Sequence, residues 1–266
     1  KISKIGTQPI IGTQINFRYS DTIGLLPLFA LNDKGYKRII KLSSLSYLEN
    51  DVLSDPHIKF DDLLNDNEGV GIFSGTVLGL FGQLFDKGKF SEILELYKKL
   101  KFSFGDRFYL EIQRHNDQNE KGFEKFNLNK SLELEIPIIA TNEVFYLDKD
   151  MHEAHDALIC IGHKTYINEK SRIRFSDQHY LKSNSEMLEL FADLPEALEN
   201  NYNFPLRCSF RPLYSNPILP NISSEKGGNA DDILKKDSLN GLKIKFEKVF
   251  GIRNIALEKN ITFVEY

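Results

Sequence analysis

Short apolar runs alternate with stretches of helical period from Gln8 to Val144. Gln8–Phe17 (QPIIGTQINF) and Leu25–Asn32 (LLPLFALN) read as strands, and Asp33–Leu48 (DKGYKRIIKLSSLSYL) reads as the helix after them. Gly69–Gly75 (GVGIFSG) reads as a strand, followed by a helical stretch over Thr76–Phe85. Phe90, Ile93, Leu94, Tyr97 and Leu100 recur at helical spacing, with Lys98, Lys99 and Lys101 outside that stripe. Arg107–His115 reads as a strand, Glu120–Glu135 as a helix, and Ile136–Leu147 (IPIIATNEVFYL) as a strand. The centre of that last strand is continuously apolar, the signature of a strand covered on both faces. The alternation predicts a mainly parallel α/β sheet or barrel.

After His155 the pattern changes to helices and an irregular segment, Gly162–Phe175. Ser183 and Glu186 make a capping-box pattern for a helix carrying Met187, Leu190, Phe191 and Leu194. Pro195 interrupts it, and Glu196–Phe204 resumes. Residues 211–228 (RPLYSNPILPNISSEKGG) are rich in Pro, Ser and Gly and read as a linker. A polar, Lys-rich helix follows from about Asp231.

Composition narrows the class. The 266 residues suffice for one large domain, or one and a fraction, with 41% hydrophobic and 27% charged residues. Two cysteines, Cys160 and Cys208, cannot build a disulfide framework, so a reducing cytoplasm is the expected compartment. No run reaches the ~18 apolar residues that suggest a membrane helix, and no membrane partner is expected. A net charge of −4 argues against a free-standing DNA-binding module.

Most patterns with chemical potential shrink on inspection. Gly69, Gly71 and Gly75 fall one residue off the dinucleotide fingerprint and lie within a strand rather than in a turn opening a helix. His152 and His155 stand at i, i+3, which puts two imidazoles on one side of a helix, yet they do not make the H-E-x-x-H of zinc proteases. Asp148 and Asp150 resemble a D-x-D metal pair, but acids at a strand-to-helix turn favour the helix N-terminus by themselves. The expectation is that one of them caps the helix, with one histidine packed and the other solvated. The basic clusters Lys98–Lys101 and Ser171–Phe175 are expected on a solvated face. The six histidines otherwise have no motif context.

The longer runs carry a resemblance. Ala140–Tyr146 (ATNEVFY), Ala154–Ile161 (AHDALICI) and Glu186–Asn201 (EMLELFADLPEALENN) resemble the PHP (polymerase and histidinol phosphatase) domain at the N-terminal end of bacterial DNA polymerase III alpha subunits. Pro9–Phe17, Leu31–Ser44 and Phe108–His115 match the same family, and Asn216–Asn221 (NPILPN) fits its exit toward the polymerase palm. The resemblance implies an α/β fold, an irregular (βα)7-like barrel whose strand C-termini gather His, Asp, Glu and sometimes Cys around two or three metal ions. It divides the chain into a PHP domain over 1–210, a linker over 211–229 and the start of the palm region over 230–266.

Against that pattern, ligand positions are lost. Gln14 stands where metal-binding relatives carry Glu, Leu25 where they carry His, and Thr76 where they can carry Cys. Glu143 and Phe145 stand in place of an Asp and a His. Only Glu143 keeps an ionisable ligand, because an amide, an alkyl group, a hydroxyl and a phenyl cannot replace anionic and imidazole donors around dications. The expectation is therefore a vestigial site without metal or cofactor, and no catalytic residue in this chain. The family's H-x-H-S and T-D-H ligand runs would lie upstream of Lys1, so the barrel is expected to be N-terminally truncated. On the same resemblance, the palm aspartates that hold Mg for DNA synthesis would lie beyond Tyr266.

The resemblance also implies the role. It is that of a non-catalytic structural and docking module within a replicative polymerase. The partners implied are the rest of the alpha chain, the proofreading exonuclease subunit and, through the full-length polymerase, DNA. The alternative is a metal-dependent 3′–5′ exonuclease or phosphoesterase.

Overall fold

The computed structural model describes residues 2–50, 54–214, 216–217 and 229–250. The chain divides into two compact units, Lys1–Pro212 and Leu213–Tyr266. In the second, a helix spans Ala230–Phe250. Residues 218–228 and 251–266, on which much of the expected linker and the end of the expected palm segment fall, lie outside the described residues.

Six strands form the sheet of the first unit among the described residues: β1 (Gly12–Tyr19), β2 (Thr22–Ala30), β3 (Ile58–Lys59), β4 (Val70–Phe73), β5 (Phe108–Ile112) and β6 (Ile138–Ala140), in the order β3-β1-β2-β4-β5-β6. β1 and β2 form an antiparallel hairpin, with Gly12 opposite Phe29 and Tyr19 opposite Thr22. β2 also pairs antiparallel with β4, while β4–β5, β5–β6 and β1–β3 are parallel. The sheet is therefore mixed, with β2 the reversed strand. The reason is local: only Ser20 and Asp21 separate β1 from β2, and a parallel crossover needs a dozen residues or more.

Helices accompany the strands. They are α1 (Asp33–Leu48), α2 (Phe60–Leu64), α3 (Leu80–Asp86), α4 (Phe90–Phe104) and α5 (Glu120–Leu134), then α6 (His152–His163), α7 (Asn184–Leu190) and α8 (Pro195–Asn203). Asn32 caps α1 by accepting the Gly35 amide at 3.0 Å. Ile93, Leu96, Tyr97, Leu100 and Phe104 form the buried stripe of α4. The expected capping box of α7 is present, with Ser183 and Glu186 satisfying each other's backbone amides, and Pro195 opens α8 at its first turn. β3 and α2 carry no periodic signal strong enough to have been anticipated.

Both faces of the central strands are buried, which explains their unbroken apolar runs. Along β5, Phe108, Leu110 and Ile112 enter the main core with Ile72, Phe81 and Tyr97. Tyr109 points to the opposite face and joins Phe73, Ile139 and Phe204, the residue that follows α8. Glu111 shares that face with Tyr109, because side chains two residues apart on a strand lie on one side. The same period carries a polar group to the end of the strand, where the site begins.

Candidate functional site

The parallel strands β4, β5 and β6 end side by side, and the residues just beyond them converge. Leaving β5, the chain places Gln113, Arg114 and His115; leaving β6, it places Thr141, Asn142 and Glu143. Ser74, beyond β4, accepts the Glu111 amide through its hydroxyl at 2.9 Å. The Glu111 carboxyl accepts from Gln113 Nε2 at 3.0 Å and from the Thr141 hydroxyl. Its second oxygen is buried without a hydrogen-bond partner. Burial raises the Glu111 carboxyl to about 7, against the opposing pull of Thr141 and Gln113, and the Glu143 charge pushes it the same way. Thr76, Gln113 and Glu111 line a small cavity there, together with Glu120 and Glu124.

Beside it, His115 and His179 are each only 1% exposed. His179 uses both ring nitrogens: Nδ1 lies 3.1 Å from the Glu143 carbonyl and Nε2 lies 3.1 Å from Asp117 Oδ2. His115 Nε2 lies 3.1 Å from Asn142 Oδ1, which also accepts from Lys182 Nζ at 3.1 Å. His115 Nδ1 has no hydrogen-bond partner and stands 3.4 Å from Glu120 Oε1. The Glu120 carboxylate is itself held by the His115 and Asn116 amides at 2.8 Å. Asp117 is lowered by its bond to His179 and the nearby imidazoles, although burial opposes this most strongly. Burial raises Glu143, against the imidazoles of His179 and His115; Asp117 adds to the rise and the nearby Gln14 side chain lowers it.

His115, Asp117 and His179 thus form an incomplete metal-type cluster, with donor atoms all within 4.8 Å of one another. Sequence reading missed it. A usable signal existed: His115 follows an apolar strand at its C-terminal end, the same position that drew attention to Glu143. His179 had no such signal, because tertiary packing alone brings the irregular segment before α7 back onto the strand ends.

The cluster does not fit one ion as it stands. The two imidazoles stack with centroids 4.0 Å apart and planes 4° from parallel. A donor lone pair lies in its ring plane, so a bound ion lies near that plane at about 2.0–2.1 Å. Parallel, separated planes have no such common point. An ion placed between the rings would stand out of both planes.

The positions singled out in the sequence lie as follows. Gln14 is on β1 and its side chain reaches the Glu143 carboxyl. Leu25 is on β2 and partly exposed, at 39%. Thr76 lies in the turn after β4, and Phe145 stacks on His179 at 4.7 Å and on His155 at 5.2 Å. Three smaller expectations fail. Neither Asp148 nor Asp150 caps α6, whose N-cap is Met151 with no side-chain bond. His152 and His155 are both half-buried, His152 against the Phe175 carbonyl at 3.0 Å and His155 against Phe145. Arg172 is not a solvated charge: its guanidinium forks onto buried Asp156, and the side chain is 6% exposed.

An α/β unit with acidic and imidazole groups gathered at the ends of parallel strands is the frame of a metal-site fold, here with the metal geometry broken. The PHP domain family model matches residues 1–115. Over most of its length the chain is similar to DNA polymerase III subunit alpha. It is 38% identical to that of Rickettsia conorii over 260 residues, covering 96% of this chain and 22% of the relative. Identity is 34% with the Caulobacter vibrioides protein over 251 residues, covering 91% and 22%. With the Borreliella burgdorferi protein it is 33% over 260 residues, covering 92% and 23%. The chain therefore matches the PHP-domain region of DNA polymerase III alpha subunits at moderate identity, and it spans about a fifth of the length of the curated relatives it matches.

Proposed function

We propose that the chain is the PHP module of a replicative DNA polymerase alpha subunit and acts as a structural and docking element. It braces the polymerase core and seats the proofreading exonuclease subunit. On this reading the PHP domain runs over 1–210, a linker over 211–229, and the palm region begins at 230. Mg-dependent DNA synthesis belongs to residues beyond this chain. The module works in a bacterial cytoplasm, and it meets DNA only through the whole polymerase.

The observation that carries the reading is the replacement of metal donors at Gln14, Leu25, Thr76 and Phe145 around Glu143, beside an incomplete cluster of His115, Asp117 and His179. A barrel-like curl of the sheet is supported by the same residues. β1 and β6 are separated by β2, β4 and β5, yet the Gln14 side chain lies close enough to lower the Glu143 carboxyl. Flat strands that far apart would stand roughly 19 Å from each other, at about 4.8 Å per strand.

A second reading, a metal-dependent phosphoesterase, is favoured by the proximity of His115, Asp117 and His179, but their parallel rings oppose it. The deciding experiment incubates the purified chain with Mn²⁺ or Zn²⁺ and either p-nitrophenyl phosphate or 3′-labelled DNA. No hydrolysis above background is expected, together with co-purification of the cognate exonuclease subunit. Hydrolysis that is lost on Glu143→Ala would overturn the structural reading in favour of the enzymatic one.

A further inference from the structure

Four rings from four separate segments form one column at the strand ends. His155 of α6 lies on Phe145 with centroids 5.2 Å apart and planes 13° from parallel. Phe145 lies on His179 at 4.7 Å and 19°, and His179 on His115 at 4.0 Å and 4°. Phe175 closes the side, tilted against Phe145 at 4.7 Å and edge-on to His179 at 5.4 Å. Hydrogen bonds fix the inner rings. His179 is held between the Glu143 carbonyl and Asp117, and His115 is held by Asn142.

We infer that this column does the mechanical work of the metal cluster. It cross-links the exits of β5 and β6, helix α6 and the segment before α7 without an ion. The inference deepens the structural reading above and rests on it. A dication joins strand ends by binding donors from several of them; stacked rings join the same segments through face contacts, which need no charge compensation. Phe145 is the central piece. The family pattern has an imidazole at this position, and a phenyl there offers a face to both neighbours and no lone pair to a metal. The adjoining pair, His115 and His179, turn parallel faces to each other, so no single ion can lie in both ring planes.

The test has two arms on the purified chain. In the first, Zn²⁺ and Co²⁺ are added, bound metal is measured after dialysis, and thermal melts are run with each ion and with EDTA. Less than a tenth of an equivalent should remain, and the melting temperature should be the same in all conditions. One equivalent of Co²⁺ with a tetrahedral visible spectrum, lost in His115→Gln and in His179→Gln, overturns the inference. In the second arm, Phe145→Leu keeps apolar volume but removes the stacking face, and Phe145→Tyr keeps the ring. The Leu variant should melt lower by about 2–4 °C in EDTA, and the Tyr variant should melt like the parent. Equal melting of the Leu variant and the parent overturns the column's role. If the Leu variant does not fold, the metal arm still decides on the parent chain. Failure of the wider structural reading shows separately, as metal-dependent hydrolysis or as loss of exonuclease co-purification with the column intact.

Discussion

The Gln113 amide turns back two residues to donate to Glu111 at 3.0 Å, yet it leaves the second Glu111 oxygen buried with no partner. Burial raises this carboxyl from 4.5 to about 7, so the folded chain holds the proton more tightly than the unfolded one. Below about pH 4.5 both states are protonated and no penalty exists. Between pH 4.5 and 7 the unfolded chain has released the proton and the folded chain keeps it, so stability falls as pH rises. Above pH 7 the loss levels off, on the order of 3 kcal/mol. Glu111→Gln removes the titration. Urea unfolding of the two proteins from pH 4.5 to 8 should show the variant gaining on the parent across that window. Parallel curves would mean that Glu111 is already ionised in the fold.

How far the sequence reaches is visible at this same residue. Period-two logic places Glu111 on the Tyr109 face, and the alternation of strands and helices gives the α/β class and the helix α1 at its observed limits. Strand direction was less legible. The two-residue link between β1 and β2 makes a hairpin, whereas apolar runs look alike in parallel and antiparallel strands. The site was half legible. Glu143 and Phe145 stand in a recognisable run, but Asp117 and His179 lie in segments without periodicity. Only folding brings His179 against His115, and no local pattern encodes a contact between residues 64 positions apart.

Two glycines in helices should respond to alanine with opposite signs. A β-carbon on Gly35 would fall 1.9 Å from the Gly69 carbonyl oxygen, which already accepts the Leu31 amide at 2.8 Å. The backbone must give, so Gly35→Ala should cost about 1–3 kcal/mol despite the better helix propensity of alanine. A β-carbon on Gly122 in α5 meets only the Phe85 ring at 3.5 Å, an ordinary contact. Gly122→Ala should therefore stabilise by up to about 1 kcal/mol. Thermal melts of both variants check the pair, and a stabilising Gly35→Ala would contradict the close approach of α1 to the loop before β4.

Tyr97 and Asn127 are fully buried, and the tyrosine hydroxyl donates to Asn127 Oδ1 at 2.9 Å. This bond ties α4 to α5 across the main core. Tyr97→Phe keeps the ring packed against Phe81 and Phe108 but takes away the hydroxyl donor. An acceptor left short of its partner in a dry interior costs about 1–3 kcal/mol. Chemical denaturation should show that loss with an unchanged m-value, since the surface exposed on unfolding is the same. The double variant Tyr97→Phe, Asn127→Leu should recover part of it by removing the stranded acceptor.

Arg114 clamps the exit of β5 to two helices. One side of its guanidinium meets Glu124 of α5, with Nε at 3.2 Å, while Nη1 and Nη2 meet Asp193 at 2.6 and 2.9 Å; Nη1 also donates to the Leu190 carbonyl that ends α7. Its plane lies over the Phe191 ring, 4.8 Å from the centroid. A lysine cannot reproduce a planar fork with two carboxylates and a ring face, because its ammonium is a compact point charge with its donors at one end. Arg114→Lys should therefore destabilise almost as much as Arg114→Ala, by roughly 1.5–3 kcal/mol, the range for hydrogen bonds to charged groups. Because Arg114 directly precedes His115, the same change should also loosen the inner ring of the stack. One-bond ¹H–¹⁵N spectra of His115 and His179 in Arg114→Lys would report it, as a displacement of both ring resonances. A lysine variant with parent stability and unmoved ring resonances would show that the clamp acts through charge alone.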